Sequence, residues 1–217
     1  IRYSELNKKI EYLRGQIEFS GSGILLIKLD RTIENIALVL TCLIYDIPFI
    51  PVDSETPDDR IELIENLCGQ KACNVNALIN NIKIESNQNF DSEIAYCIAT
   101  SGSTGIPKIV GVKRKGYLAA IAAWKEQYQI TTSDKVLQAA SFSFDVFLGD
   151  IGRSLFQGAE LILLDKFERK DPDYILKTLI NKKISLFETT PFIIRWWLDI
   201  GDIQCDSLRL LIVGSDS

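Results

Sequence analysis

The stretch TSGSTGIPK, residues 100–108, joins two glycines, four hydroxyl side chains and one cation. Gly102 and Gly105 permit positive φ and a close approach of backbone to a ligand. Thr100, Ser101, Ser103 and Thr104 add hydroxyl donors, and successive backbone N–H groups can form an anion nest. Lys108 supplies a full positive charge, while Pro107 stiffens the exit and removes one backbone donor. The set suits a polyphosphate. A solvated turn between two strands has the same composition, because Ser, Gly and Thr are common in turns, so the residues alone leave both readings open.

Two familiar phosphate loops are excluded. Neither Gly102 nor Gly105 opens a G-x-x-x-x-G-K-[ST] spacing, and GSGILL at 21–26 lacks the last glycine of the dinucleotide fingerprint and precedes a strand. The chain has no histidine, so its own residues offer no Ser-His-Asp or Cys-His catalysis. Its five cysteines (Cys42, Cys68, Cys73, Cys97 and Cys205) are scattered, and four lie in or beside apolar segments. They read as reduced, structural thiols of a cytoplasmic protein. Cys68 and Cys73 are too isolated to build a tetrahedral zinc site, and no metal site is expected.

With 24 Lys and Arg against 29 Asp and Glu, the net charge is −5 and no basic cluster stands out, which argues against nucleic-acid binding. The longest apolar stretch, Ile36 to Val52, is broken by Asp46 and two prolines and does not read as a membrane span. The 217 residues, 47% of them hydrophobic, suffice for one large domain or two small ones. No signal peptide opens the chain. It starts inside an amphipathic helix without an initiator Met and stops after an apparent strand, which reads as a piece of a longer polypeptide.

The elements that must hold the loop follow from periodicity. Leu6, Ile10, Leu13 and Ile17 recur at helical spacing. Residues 23–29 read as a buried strand, 32–46 as a helix capped by Thr32, and 48–52 as a short strand. A helix then begins with Thr56 as cap and Pro57 in its first turn. Residues 74–93 are polar and Asn-rich, a surface excursion. Beyond the loop, helices over 115–128, 143–157, 171–182 and 191–199 alternate with strands over 135–140, 160–164, 184–188 and 208–213. The pattern predicts an α/β fold of mostly parallel sheets with helices on both faces. Ligands in such folds bind at the carboxyl ends of strands. Residues 113–115 (KRK) read as a solvated helix start, and Trp196 and Trp197 as helix packing.

TSGSTGIPK closely resembles the phosphate loop of the adenylate-forming superfamily, usually T-S-G-[ST]-T-G-x-P-K-G-V. LIYDIPFIPVDSETPDDRI (43–61), FSFDVFLGDIGRSLFQGAELIL (142–163) and LRLLIVGSDS (208–217) are similar, in order and spacing, to segments of nonribosomal peptide synthetase adenylation domains. The likeness covers essentially the whole chain. It departs at Ile109, where the family usually has Gly, at VKRKG (112–116), which lacks a common histidine, and at GSDS, where Gly-Gly-Glu is frequent. Under this resemblance residues 1–217 are the N-terminal portion of the large subdomain, without the small C-terminal domain and its catalytic lysine. No catalytic residue is then expected here beyond the phosphate loop itself.

The resemblance implies activation of an amino acid by ATP to an aminoacyl-adenylate, with Mg²⁺ on the phosphates. The acyl group then passes to the phosphopantetheine of a partner carrier domain. Expected partners are the amino acid, the carrier and other synthetase domains, and the C-terminal remainder; nucleic acid and membrane are not among them. The resemblance assigns Thr100, Ser101, Gly102, Ser103, Thr104, Gly105 and Lys108 to ATP phosphates, and Asp145 to the substrate α-ammonium. Its specificity positions fall on Asp145, Val146, Gly149, Glu188, Ile212 and Gly214, a pattern similar to ornithine-activating domains, with lysine or arginine next. Gly149 removes bulk, which predicts a deep pocket, and Glu188 needs a cationic partner, which a substrate ammonium provides. Rival readings are an aryl or fatty acid–CoA ligase and a non-catalytic nucleotide-binding remnant.

Overall fold

The structure, a computed structural model, describes residues 1–17, 23–76, 91, 93–101, 107–201 and 203–214. It divides into two compact units, Ile1–Leu118 and Ala119–Ser217.

In the first unit, helix α1 (Tyr3–Gln16) buries Leu6, Ile10 and Leu13, three and four residues apart on one stripe. Strand β1 (Leu25–Leu29) leads to α2 (Ile33–Ile44), whose residues from Asn35 to Leu43 are all buried. The Thr32 side chain accepts the Asn35 N–H and caps α2 as its type predicts. Inside this apolar helix the Thr41 hydroxyl donates to the Ala37 carbonyl at 2.8 Å, so its burial leaves no lost bond. Strand β2 (Phe49–Asp53) is buried along its whole length. Helix α3 spans Asp58–Cys68, and here the expected cap is corrected: Pro57 is the capping residue and no side chain caps it. Instead, the Thr56 N–H donates to the Asp53 carbonyl, closing the turn one residue earlier.

Strands β3 (Ile94–Ser101) and β4 (Pro107–Lys113) form an antiparallel hairpin, and the sheet order is β1-β2-β3-β4 with the other pairs parallel. Ile24, Leu26, Ile50, Val52, Ile61, Ile64, Cys68 and Cys97 pack into one core cluster. At the hairpin's far end, Lys113 pairs with Glu93 at 2.7 Å and remains exposed. Arg114 is not solvated as expected. Its guanidinium donates to the Leu43 carbonyl at 2.8 Å and pairs with Asp46 at 2.9 Å, pinning the start of α4 (Arg114–Gln127) to the end of α2.

In the second unit, β5 (Lys135–Gln138), β6 (Glu160–Leu163), β7 (Leu186–Thr189) and β8 (Leu210–Val213) form a parallel sheet in the order β6-β5-β7-β8. Helices α5 (Asp145–Arg153), α6 (Pro172–Asn181) and α7 (Pro191–Ile200) connect the strands. Successive strand residues point to opposite faces. Val136 and Leu186 pack with Ile130 and Ala159 beside Trp124 of α4, whereas Leu137 and Phe187 pack with Ile175, Leu179 and Trp197 of α6 and α7. Helices therefore cover both faces, as the pattern predicts. Trp197 is buried and donates to the Pro172 carbonyl at 2.9 Å; its neighbour Trp196 stays half-exposed and donates to Asp173. The helix expected over 143–157 stops at Arg153 and finishes as a single 3₁₀ turn, Leu155–Gln157.

Asp134 ties the amino ends of this sheet together. It accepts from Arg209 at 2.7 and 2.8 Å, from the Ser185 hydroxyl at 2.7 Å and from the Thr131 N–H at 2.8 Å. Burial works against its charge, but these donors outweigh it and hold the carboxyl down at about 2. A depressed carboxylate contributes stability above its ordinary range, and that contribution fades as pH falls from about 4 through about 2. In the full-length protein Asp134→Asn should speed hydrogen exchange of the Lys135 and Ser185 amides roughly 10- to 100-fold at neutral pH. The ratio to wild type should shrink across that acid window, and a pH-independent ratio would contradict the assignment.

Candidate functional site

The carboxyl ends of β5, β7 and β8 frame a cavity of about 440 Å³ in the second unit, within the range of small-molecule sites. Its wall runs from Ala139, Ala140 and Ser141 after β5, through Glu188 and Thr189 of β7, to Gly214 after β8. Phe144 and Val146 close it from the start of α5, and Arg169, Ile175 and Ile193 from beside α6 and α7. Local sequence sets this frame. Phe142 and Phe147, both fully buried, stack with centroids 4.0 Å apart and fix the turn into α5. Pro191 starts α7 right after Thr190, so the chain turns away at the strand end.

One ionic cluster dominates the site. Arg153 Nη2 donates to Asp150 Oδ1 at 2.9 Å and also to Glu188 Oε2. Asp150 and Arg153 side chains are 1% and 6% exposed, and that of Glu188 is 16% exposed. The guanidinium also lies over the Trp124 ring, 5.0 Å from its centroid. Burial disfavours the Arg153 charge, but the two carboxylates outweigh it and raise its pKa above the ordinary value. Gly149 also approaches this group: a Cβ there would sit 3.1–3.3 Å from the guanidinium. The absent side chain at 149 thus leaves room for Arg153, and neither residue is in the cavity lining.

The structure brings Val146, Glu188 and Gly214 to one cavity, with Gly149 reaching Glu188 through Arg153. Ile212 sits opposite Glu188 in the β7–β8 register, half-buried and outside the lining. Asp145 is the first residue of α5, between two lining residues, but is itself exposed and not part of the wall. Sequence reasoning missed Arg153. The available signal was an arginine four residues after Gly149 and three after Asp150, closing a helix whose other inward residues are apolar.

In the first unit, Thr100 and Lys108 face each other across the β3–β4 ladder, and the Thr100 hydroxyl donates to the Lys108 carbonyl at 3.3 Å. Lys108 is exposed and, among the described residues, pairs with no carboxylate. Gly102, Ser103, Thr104 and Gly105 lie outside the described residues, as does the side chain of Ser101. Among the described residues no group of three or more Cys, Asp or Glu gathers as a cation site, and no helix is long and apolar enough to cross a membrane. All five cysteines are free thiols; burial pushes Cys73 and Cys97 up to about 11 and Cys42 higher still, as expected of structural thiols.

The family model for AMP-binding enzymes matches residues 79–217. Gramicidin S synthase 2 of Brevibacillus brevis is 31% identical over 249 residues, covering 100% of this chain and 6% of that protein. Tyrocidine synthase 3 of Brevibacillus parabrevis is 28% identical over 247 residues, covering 100% and 4%. The chain thus spans a small part of the curated relatives it matches. Among solved structures, the N-terminal subdomain of NpsA from Klebsiella oxytoca has a TM-score of 0.81 at 20% identity, covering 100% of this chain and 60% of that one. O-succinylbenzoate coenzyme A synthetase from Bacillus subtilis has a TM-score of 0.78 at 16% identity, covering 98% and 61%. At these identities the likeness shows the fold, that of the N-terminal subdomain of adenylate-forming enzymes.

Close approach of α5 to α4 gives this site its backing. A Cβ at Gly152 would lie 2.8 Å from Ile121 Cγ1 and 3.4 Å from Trp124, whereas one at Gly116 meets nothing within 4 Å. Gly152→Ala should therefore destabilise the second unit by about 1–3 kcal/mol. Gly116→Ala should stabilise its helix by about 0.5–1 kcal/mol. Thermal unfolding of the full-length variants checks the opposite signs.

Proposed function

We propose that this chain, which belongs to the family of AMP-binding enzymes, is part of an amino-acid adenylation domain of a nonribosomal peptide synthetase. Its substrate is a basic amino acid, ornithine first, lysine or arginine next. The likeness to gramicidin S synthase 2 and tyrocidine synthase 3 over the whole chain supports the enzyme class. The observation that carries the substrate is Glu188 on the cavity wall. It shares the Arg153 guanidinium with Asp150, and a substrate ammonium at Glu188 would give its carboxylate a partner from the cavity side. Arg169 also lines the wall and has interactions of its own.

In the first step a substrate carboxylate oxygen attacks the α-phosphorus of ATP, the bond to the β-phosphate bridging oxygen breaks, and pyrophosphate leaves. In the second, the carrier's phosphopantetheine thiol attacks the acyl carbon, loses its proton, and AMP departs. The chain's part in the first step is to hold charge and alignment. Residues 100–105 and Lys108 hold the β- and γ-phosphates, with the exposed Lys108 ammonium at the hairpin's end as the fixed cation. Mg²⁺, when carried in on the triphosphate, neutralises phosphate oxygens. Asp145 takes the α-ammonium; its place between the lining residues Phe144 and Val146 supports that role. Two unit charges about 4 Å apart attract by roughly 4 kcal/mol at an effective dielectric near 20, partly offset by desolvation.

The second reading is a ligase that activates aryl or fatty acids for coenzyme A. Its support is the fold shared with O-succinylbenzoate coenzyme A synthetase. Carboxylates at 145 and 188 oppose it, because both repel such substrates.

Amino-acid-dependent exchange of labelled pyrophosphate into ATP by the full-length protein decides between them. Ornithine should support exchange, and Glu188→Gln should raise its KM about 10- to 100-fold while changing the neutral analogue norvaline little. Lys108→Ala should lower exchange with every substrate. Exchange with aryl or fatty acids alone would establish the second reading, and ATP binding without any exchange would mark a non-catalytic remnant.

A further inference from the structure

We propose that Arg153 is a positioning residue for substrate selection. It clamps Glu188 through Oε2 and leaves Oε1 to accept the substrate's terminal cation. The inference rests on reading the cavity as a pocket for a basic amino acid.

Three features hold the guanidinium where it is. Asp150, buried one turn away on the same helix, anchors Nη2 at 2.9 Å. The Trp124 indole supports one side of the group. Gly149 stands four residues before Arg153, on the same helical face, and a Cβ there would crowd the guanidinium at 3.1–3.3 Å. A planar, always-charged group held this way fixes its carboxylate partner in direction as well as in charge. The described contacts use Glu188 Oε2 for Arg153 and give Oε1 no hydrogen-bond donor. Glu188 lines the cavity, and Oε1 is the acceptor assigned to a ligand. Gly149 then acts on specificity indirectly: it leaves room for Arg153, which aims Glu188. A neutral side chain offers Oε1 no donor, and an ammonium supplies one.

Pyrophosphate exchange by the full-length protein, with ornithine and its neutral analogue norvaline, tests this. Arg153→Met should raise KM for ornithine about 10- to 100-fold with kcat within about threefold. The ornithine-to-norvaline selectivity should fall by the same factor, and Arg153→Lys should recover part of it. A purely structural role lowers activity with both substrates alike, so an unchanged selectivity ratio overturns the proposal. A lower KM for ornithine in Arg153→Met also overturns it, because the guanidinium would then be a competitor of the substrate. Should Arg153→Met fail to fold, Gly149→Leu keeps all three charges and puts a branched side chain against the guanidinium, which a Cβ alone already meets at 3.1–3.3 Å. It should raise the ornithine KM severalfold, and an unmoved value overturns the proposal. A wild-type protein that exchanges only neutral or aryl acids removes the basic-substrate reading as well, whereas an ornithine-selective wild type with unmoved ratios removes the role of Arg153 alone.

Discussion

A single guanidinium shared by two carboxylates organises the second unit. Asp150 and Arg153 belong to α5, and Glu188 ends β7, so the cluster ties a helix to a central strand of the sheet. Burying three charges is costly, and breaking such a set by removing one member costs about 3–5 kcal/mol. The surrounding residues are arranged to keep it intact: small at 149 and 152, aromatic at 124. The register of α5 against the sheet is therefore as much an electrostatic matter as one of apolar packing.

The two ends of the second unit's sheet are built on opposite principles. At the amino ends, Asp134 is surrounded by donors from Arg209, Ser185 and Thr131, and its charge is fully answered. At the carboxyl ends, Asp150 and Glu188 share the Arg153 guanidinium, and Glu188 lines a cavity together with Arg169. The first arrangement locks strands together; the second sets charged side chains beside open space. That asymmetry is the electrostatic form of the rule that parallel sheets bind at strand carboxyl ends.

Much of this was legible in the sequence because it is local. Thr32 capping α2, the stripe of Leu6, Ile10 and Leu13, and the alternation after residue 114 each depend on residues a few positions apart. Long-range pairing was not legible. The partner of Glu188 is 35 residues away in sequence and on a different element, and that of Arg114 lies on the end of another helix, 71 residues back. Nor does composition reveal that the space left by Gly149 adjoins an arginine. Strand direction was readable for the helix-linked strands, but β3 and β4 are joined by too few residues for a crossover and pair antiparallel.

The contact between Trp124 and Arg153 has an optical consequence. Indole emission responds to charge near the ring, and this ring lies 5.0 Å from the guanidinium that pairs with Glu188, while Trp196 and Trp197 sit on another helix. Trp124 is thus an intrinsic fluorophore placed one contact away from a cavity carboxylate.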